Sequence, residues 1–195
     1  MPKSTFVNLS EEKKNKIFHA ALREFSTRGF SQASINQIVR AAAISKGSFY
    51  QYFSGKEDIF LYMLEGISRE KAALYDRTDR LAAGLDVFET ILTITREYFA
   101  LNSIKPEYVQ VAMLMEADQS DFIRGLRRQS AEKYIALVRR DQRRGIIRPA
   151  ADAEVVVSLL AAFGLNEYCR CGLDAEKYQE RLAEALQMIK TGIAQ

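Results

Sequence analysis

The sequence predicts an all-α protein, and three observations carry that prediction. Ten glycines and three prolines in 195 residues leave too few turns for an all-β chain. The strong helix formers Ala, Leu, Glu, Lys, Arg and Gln dominate the composition. Apolar residues recur three and four apart along most of the chain, the period of a helix with one buried face.

Each helix has its own start signal. Ser10 is a good N-cap, and Glu11 and Glu12 after it sit at the positive end of a helix dipole. Ile17, Ala20, Ala21 and Phe25, with Leu22 beside them, form the apolar stripe of this first helix. Gly29 ends it, since glycine readily takes the left-handed conformation that follows a last turn. Ser34-Ile-Asn-Gln37 reads as a capping box opening a short second helix, with Ile35, Ile38, Val39 and Ala42 turned inward. Ala43-Ile44 is then a turn, and Ser45 caps a third short helix. Ser54-Gly-Lys-Glu57 is a second capping box and opens a fourth helix. Two helices of about two turns each cannot bury a core alone. They need the first helix against them, which is the helix-turn-helix arrangement. Longer amphipathic segments follow near 56–80, 85–102, 106–117, 119–145, 152–171 and 174–193. Gly84, Pro106, Gly145, Pro149 and Gly172 mark breaks between them.

The net charge of +3 conceals an asymmetry. Residues 1–56 carry nine Lys and Arg against three Glu, while the remainder is net −3. A basic end is the electrostatic footprint of a surface that meets phosphates. The stretch MPKSTFVNLSEEKK has no apolar run of the kind a signal peptide needs. The longest apolar run, Val155 to Leu165, has 11 residues, against about 20 for a membrane span. A cytoplasmic protein that does not enter membranes is expected. Cys169 and Cys171 are too few for a disulfide framework and point different ways on a helix. With His19 the only histidine, no metal site and no cofactor are expected. There is no G-x-S-x-G and no acid–base pair with a histidine, so the chain is not expected to be an enzyme.

Residues 45–58, SKGSFYQYFSGKED, pack four aromatics between Lys46 and Lys56. On a helix over 46–53, Phe49 and Phe53 share one face and can pack inward. Lys46, Gly47, Tyr50 and Gln51 lie on another face, and Ser48 and Tyr52 border both. A tyrosine offers apolar bulk with a hydroxyl, which suits contact with sugar and phosphate. Gly47 lets backbone approach a groove wall. Lys56, at the start of the next helix, can bring its ammonium and free N–H groups to one phosphate. The surface that wants all of this is the DNA major groove.

From Gly29 to Glu65 the chain resembles the DNA-binding domain of TetR-family transcriptional regulators. The resemblance runs through Gly29-Phe30, Ser34, Ile38-Val39 and Ala42, and then Ser45-Lys46-Gly47-Ser48-Phe49-Tyr50-Gln51-Tyr52-Phe53-Ser54-Gly55-Lys56-Glu57. It implies base-edge contacts from Lys46, Gly47, Ser48 and Gln51, and backbone contacts from Ser45, Tyr50, Tyr52 and Lys56. Two positions depart from the family pattern. Ala43 stands where the turn usually has glycine, which predicts a strained or reshaped turn. Ile35 stands where a Thr or Ser often touches phosphate.

The resemblance further implies a DNA-binding domain over 1–55 and a helical ligand-binding and dimerisation domain over 56–195. It implies a homodimer on double-stranded DNA, acting as a ligand-released repressor at an inverted repeat. The stretch VVVSLLAAFGL, residues 155–165, is apolar on more than one side, as a dimer helix would be. Val156, Leu159, Leu160, Phe163 and Gly164 from it, with Leu182, Leu186 and Ile189 from the last helix, are the expected interface. Phe88, Leu92, Tyr98, Phe99, Tyr108, Met113, Met115, Phe122 and Tyr134 are the expected lining of a pocket for a largely apolar or aromatic effector. The arginines of 124–148 read as a solvated helix face. Two rival readings remain at this level: a helical protein-interaction module, and an all-α enzyme with a vestigial head.

Overall fold

The computed structural model describes residues 2–71, 84–102, 105–172 and 174–193. The described residues form helices and no strand. The helices are α1 (Ser4–Val7), α2 (Glu11–Gln32), α3 (Ile35–Ala41), α4 (Lys46–Tyr52), α5 (Lys56–Glu70), α6 (Val87–Asn102), α7 (Pro106–Ala117), α8 (Asp121–Arg143), α9 (Ala153–Cys171) and α10 (Ala175–Ile193). The chain divides into two compact units, Met1–Ala72 with Lys105–Gly125, and Ala73–Ile104 with Leu126–Gln195.

In the first unit the stripe expected on α2 is the one that is buried, from Ile17 through Phe25. Ser10 caps this helix, its hydroxyl accepting from the Lys13 N–H at 3.4 Å. Gly29 is left-handed, at φ 68°, and kinks the chain before α3. Neither expected capping box forms. Ser34 makes no side-chain cap, and its own N–H donates to Glu24 Oε1 at 2.9 Å. Gly55 is the N-cap of α5, so the reciprocal acceptor shifts by one residue: Asp58, not Glu57, takes the Ser54 N–H at 2.8 Å. α5 lies across α2 where Gly66 meets Phe18; a Cβ built on Gly66 would stand 2.4 Å from Phe18 Cε2.

The expected boundary at 55/56 therefore falls inside the first unit, and later chain completes that unit. Leu114 of α7 packs on Gly29, with its Cβ 3.4 Å from where a side chain would begin. The Phe122 ring lies 4.7 Å from Phe30 and 6.1 Å from Phe60. Asp118 accepts from the Ser31 N–H and the Ser120 N–H, both at 2.8 Å. Burial opposes ionisation of Asp118, but the donors at Ser120 and Ser31 outweigh it and hold its carboxyl down at about 2. The Tyr108 hydroxyl donates to Glu70 Oε2 at 2.6 Å, and Lys105 donates to the same oxygen. Burial, reinforced by that carboxylate, pushes the Tyr108 hydroxyl up to about 12.

The second unit has its own core, including Val87, Phe88, Phe99, Val138, Val156, Leu160, Leu182 and Leu186. Its helix α6 starts with a capping box that the sequence analysis did not pick out. Asp86 Oδ1 accepts from the Glu89 N–H, and Glu89 accepts from the Asp86 N–H. The fully buried Asp141 accepts from the Val87 N–H at 2.7 Å and pairs with Arg140 and Arg144. Arg140 also reaches the Leu85 carbonyl, Arg144 the Gly84 carbonyl, and Arg148 the Gly192 carbonyl. Three of the arginines expected on a solvated face thus tie helix ends together. The expected helix over 56–80 is seen to Glu70; residues 72–83 lie outside the described residues.

Gly66→Ala should cost about 1–3 kcal/mol, because the added methyl would overlap the buried Phe18 ring and force it from its packed position; a lowered midpoint in urea would register it. The low pKa of Asp118 contributes stability that is full above its ordinary value of 3.8 and is lost as pH falls toward 2. Asp118→Asn should cost about 2 kcal/mol at neutral pH. The gap between variant and parent should close between about pH 4 and 2 in urea melts taken across pH.

Candidate nucleic-acid interface

The sequence of α4 sorts its side chains as the helical period dictates. Phe49 and Phe53 are fully buried, their ring centroids 5.5 Å apart. That anchorage fixes which face looks out. Lys46, Gly47 and Gln51 are exposed, and Tyr50 is 45 % exposed with its ring edge-on to Phe49 at 5.2 Å. Ser45 is the N-cap, its Oγ accepting from the Ser48 N–H at 3.0 Å and lying 2.9 Å from the half-buried Ser48 Oγ. A Cβ on Gly47 would meet only Ser45 Oγ, at an ordinary 3.7 Å. Packing within this chain does not require glycine there; a side chain would simply stand in front of the open face.

Two residues placed with this face do other work. Tyr52 is only 6 % exposed, because α1 and α2 cover it: the Phe6 ring of α1 is edge-on at 6.0 Å, and the Lys13 ammonium of α2 lies 5.7 Å from the ring centre. Its expected place on the border of the open face is thereby corrected to a packing position. Lys56 spends its ammonium on the turn between α2 and α3. Nζ donates to the Ser31 carbonyl at 3.0 Å and the Ala33 carbonyl at 3.3 Å, and sits 4.9 Å from the Phe30 ring centre. Ala43 adopts φ 51°, the left-handed region costly to a residue with a Cβ, so the expected strain in the turn lies where the sequence places it. Ile35 is half-buried.

The remaining candidates fall in both units. Phe88 and Phe99 are in the core of the second unit, with Leu92 and Tyr134 packed against it, and Tyr98 is half-buried there. Tyr108, Met113, Met115 and Phe122 belong to the first unit, so the nine expected lining residues do not fall in one compact body. On α9 and α10, Val156, Leu160, Leu182 and Leu186 are buried in the core of their own unit, and Phe163 and Ile189 pack against it. Gly164 is small for the Tyr178 hydroxyl, which lies 3.1 Å from where its Cβ would be. Among the described residues of these two helices, the large apolar side chains left outward are Val155 and Leu159, each 55 % exposed, and Met188 at 65 %. Cys169 and Cys171 are free thiols.

Comparison with known proteins agrees with this geometry. The sequence model for bacterial regulatory proteins of the tetR family matches residues 17–63, which run from α2 into α5. The uncharacterized HTH-type transcriptional regulator YdgC of Bacillus subtilis is 26 % identical over 152 residues, covering 76 % of this chain and 75 % of that protein. The HTH-type regulator HbdR of Aromatoleum is 41 % identical over 59 residues, 30 % of this chain and 26 % of that one. The crystal structure of a TetR family transcriptional regulator from Chloroflexus aurantiacus superposes with a TM-score of 0.67, at 26 % identity, over 100 % of this chain and 99 % of that chain. These relatives are transcriptional regulators. With a helix-turn-helix whose second helix turns an open polar face to solvent, residues 17–63 carry the DNA-binding domain of the tetR family, and the chain as a whole resembles TetR-family helix-turn-helix transcriptional regulators in sequence and in fold.

Proposed function

We propose that this regulator is a repressor that binds an inverted-repeat operator as a homodimer and leaves it when a small effector binds. The observation that carries the DNA half is the open face of α4. Lys46, Gly47, Ser48 and Gln51 would read base edges, and Ser45 and Tyr50 would hold the backbone. Lys56, whose ammonium rests on the Ser31 and Ala33 carbonyls, would meet a phosphate with its remaining donor and the N–H groups at the start of α5, while Tyr52, packed against Phe6, would act by bracing the face.

Two such faces must reach successive major grooves about 34–36 Å apart, which calls for a second copy of the chain. Val155, Leu159 and Met188 support that reading, being large apolar side chains exposed on the last two long helices. The effector would be largely apolar or aromatic and would enter the second unit near Phe88, Leu92, Phe99 and Tyr134. Thr90 Oγ1 and Gln179 Nε2, buried there without a protein hydrogen-bond partner, offer it polar anchors. Ligand and DNA would then oppose each other equally, because linkage is reciprocal. Among the described residues no helix is long and apolar enough to cross a membrane. The proposed place of action is the cytoplasm, where the DNA is.

Selection of bound duplexes from a random pool tests the DNA reading. The expected result is an enriched inverted repeat that Tyr50→Ala no longer selects; absence of enrichment at low salt would sink it. For the dimer, Leu159→Arg should give a monomer in sedimentation and lower affinity for the full repeat at least tenfold, with binding to a single half-site little changed. A variant that still sediments as a dimer would move the interface elsewhere.

A further inference from the structure

α4 has seven residues, so its hydrogen-bonded interior is short and its last carbonyls have no helical acceptor role to fill. Three consecutive ones are met by donors from one short stretch ahead of the helix bundle. The Lys3 N–H donates to the Tyr52 carbonyl at 2.8 Å. Lys3 Nζ donates to the Tyr50 carbonyl at 2.8 Å. The Thr5 hydroxyl donates to the Gln51 carbonyl. The next residue, Phe6, is buried with its ring 5.0 Å from Phe53 and 4.7 Å from Tyr62, which pins the donors to the core of the head. An ammonium at this end also faces the negative pole of the helix dipole.

Two of the held carbonyls belong to Tyr50 and Gln51, the side chains at the centre of the open face. We infer that residues 3–6 form a clasp that fixes the C-terminal turn of the DNA-reading helix, and that Lys3 is a positioning residue acting through Tyr50 and Gln51. Lys3 is exposed and basic, so direct contact with a phosphate is the competing role for it. Its ammonium already has a carbonyl partner within the protein, which favours the clasp. The functional part of this inference rests on the DNA-binding reading above; the structural part does not.

The test uses the full chain with Lys3→Met, which keeps the stem and removes the donor, and Lys3→Arg, which restores one. In Lys3→Met, amide exchange over Phe49 to Phe53 should rise about fivefold or more with the melting temperature of the protein unchanged. Affinity for the selected duplex should fall about five- to tenfold with the slope of log affinity against log salt unchanged, and Lys3→Arg should recover most of both. Unchanged exchange together with a salt slope smaller by about 0.9 would make Lys3 a phosphate contact and overturn the clasp. Unchanged exchange and unchanged affinity would also overturn it. Faster exchange in Lys3→Met, in a protein whose parent selects no duplex, would uphold the clasp and remove the DNA reading instead.

Discussion

The turn from Gly29 to Ala33 is the constraint on which the first unit depends. It carries the chain from the long helix α2 into the helix-turn-helix, and its backbone groups must be satisfied away from any regular ladder. Asp118 takes the Ser31 N–H, while Lys56 covers the carbonyls of Ser31 and Ala33. Glu24 takes the Ser34 N–H just beyond. Leu114 closes over Gly29, where no side chain intervenes. Partners from four places in the sequence thus fix one short bend, and that bend sets the direction in which α3 leaves. The left-handed Ala43 then sets the direction of α4, held there by the Ile44 N–H on the Val39 carbonyl.

The mixture of aromatic and basic residues in α4 resolves into two surfaces with different physics. Phe49 and Phe53 supply the burial that a two-turn helix needs to exist at all. Tyr50, next to Phe49, gains an edge-on ring contact yet remains at the surface. The outward face is therefore braced from behind by rings, and open because the residues in front of it are small or polar.

Helix existence was legible because the apolar period of α2, α6, α9 and α10 is long enough to stand above noise. The split of α4 into an inward and an outward face was legible from Phe49 and Phe53 alone, two large apolar rings four residues apart. What the periodicity could not carry was any partner distant in sequence. α1 spans four residues without a period, and only with it in place does Tyr52 become a core residue. The intramolecular partners of Lys56 were hidden for the same reason, since the carbonyls it binds belong to Ser31 and Ala33, well upstream. Arg140 and Arg144 looked solvated because the buried Asp141 and the carbonyls before α6 are invisible to a helical wheel. On α9 an apolar residue on either side reads alike, so Val156 and Leu160, which fill their own core, could not be separated from Leu159, which does not. The capping boxes failed for smaller reasons: Glu24, ten residues upstream, takes the Ser34 N–H, and a shift of one residue in where α5 begins moves the second acceptor from Glu57 to Asp58.

Completion of the first unit by residues 105–125 has a consequence for how the protein is made. On the ribosome α2 to α5 emerge before Leu114, Asp118 and Phe122 have been synthesised. At about 5–20 residues per second, the nascent head waits several seconds with Phe30 and Phe60 lacking the ring that covers them. That interval is an opening for chaperones. The same dependence bears on protein engineering: a chimera that transplants residues 1–55 alone carries α4 to its new host and leaves behind the side chains that hold the base of the head in place.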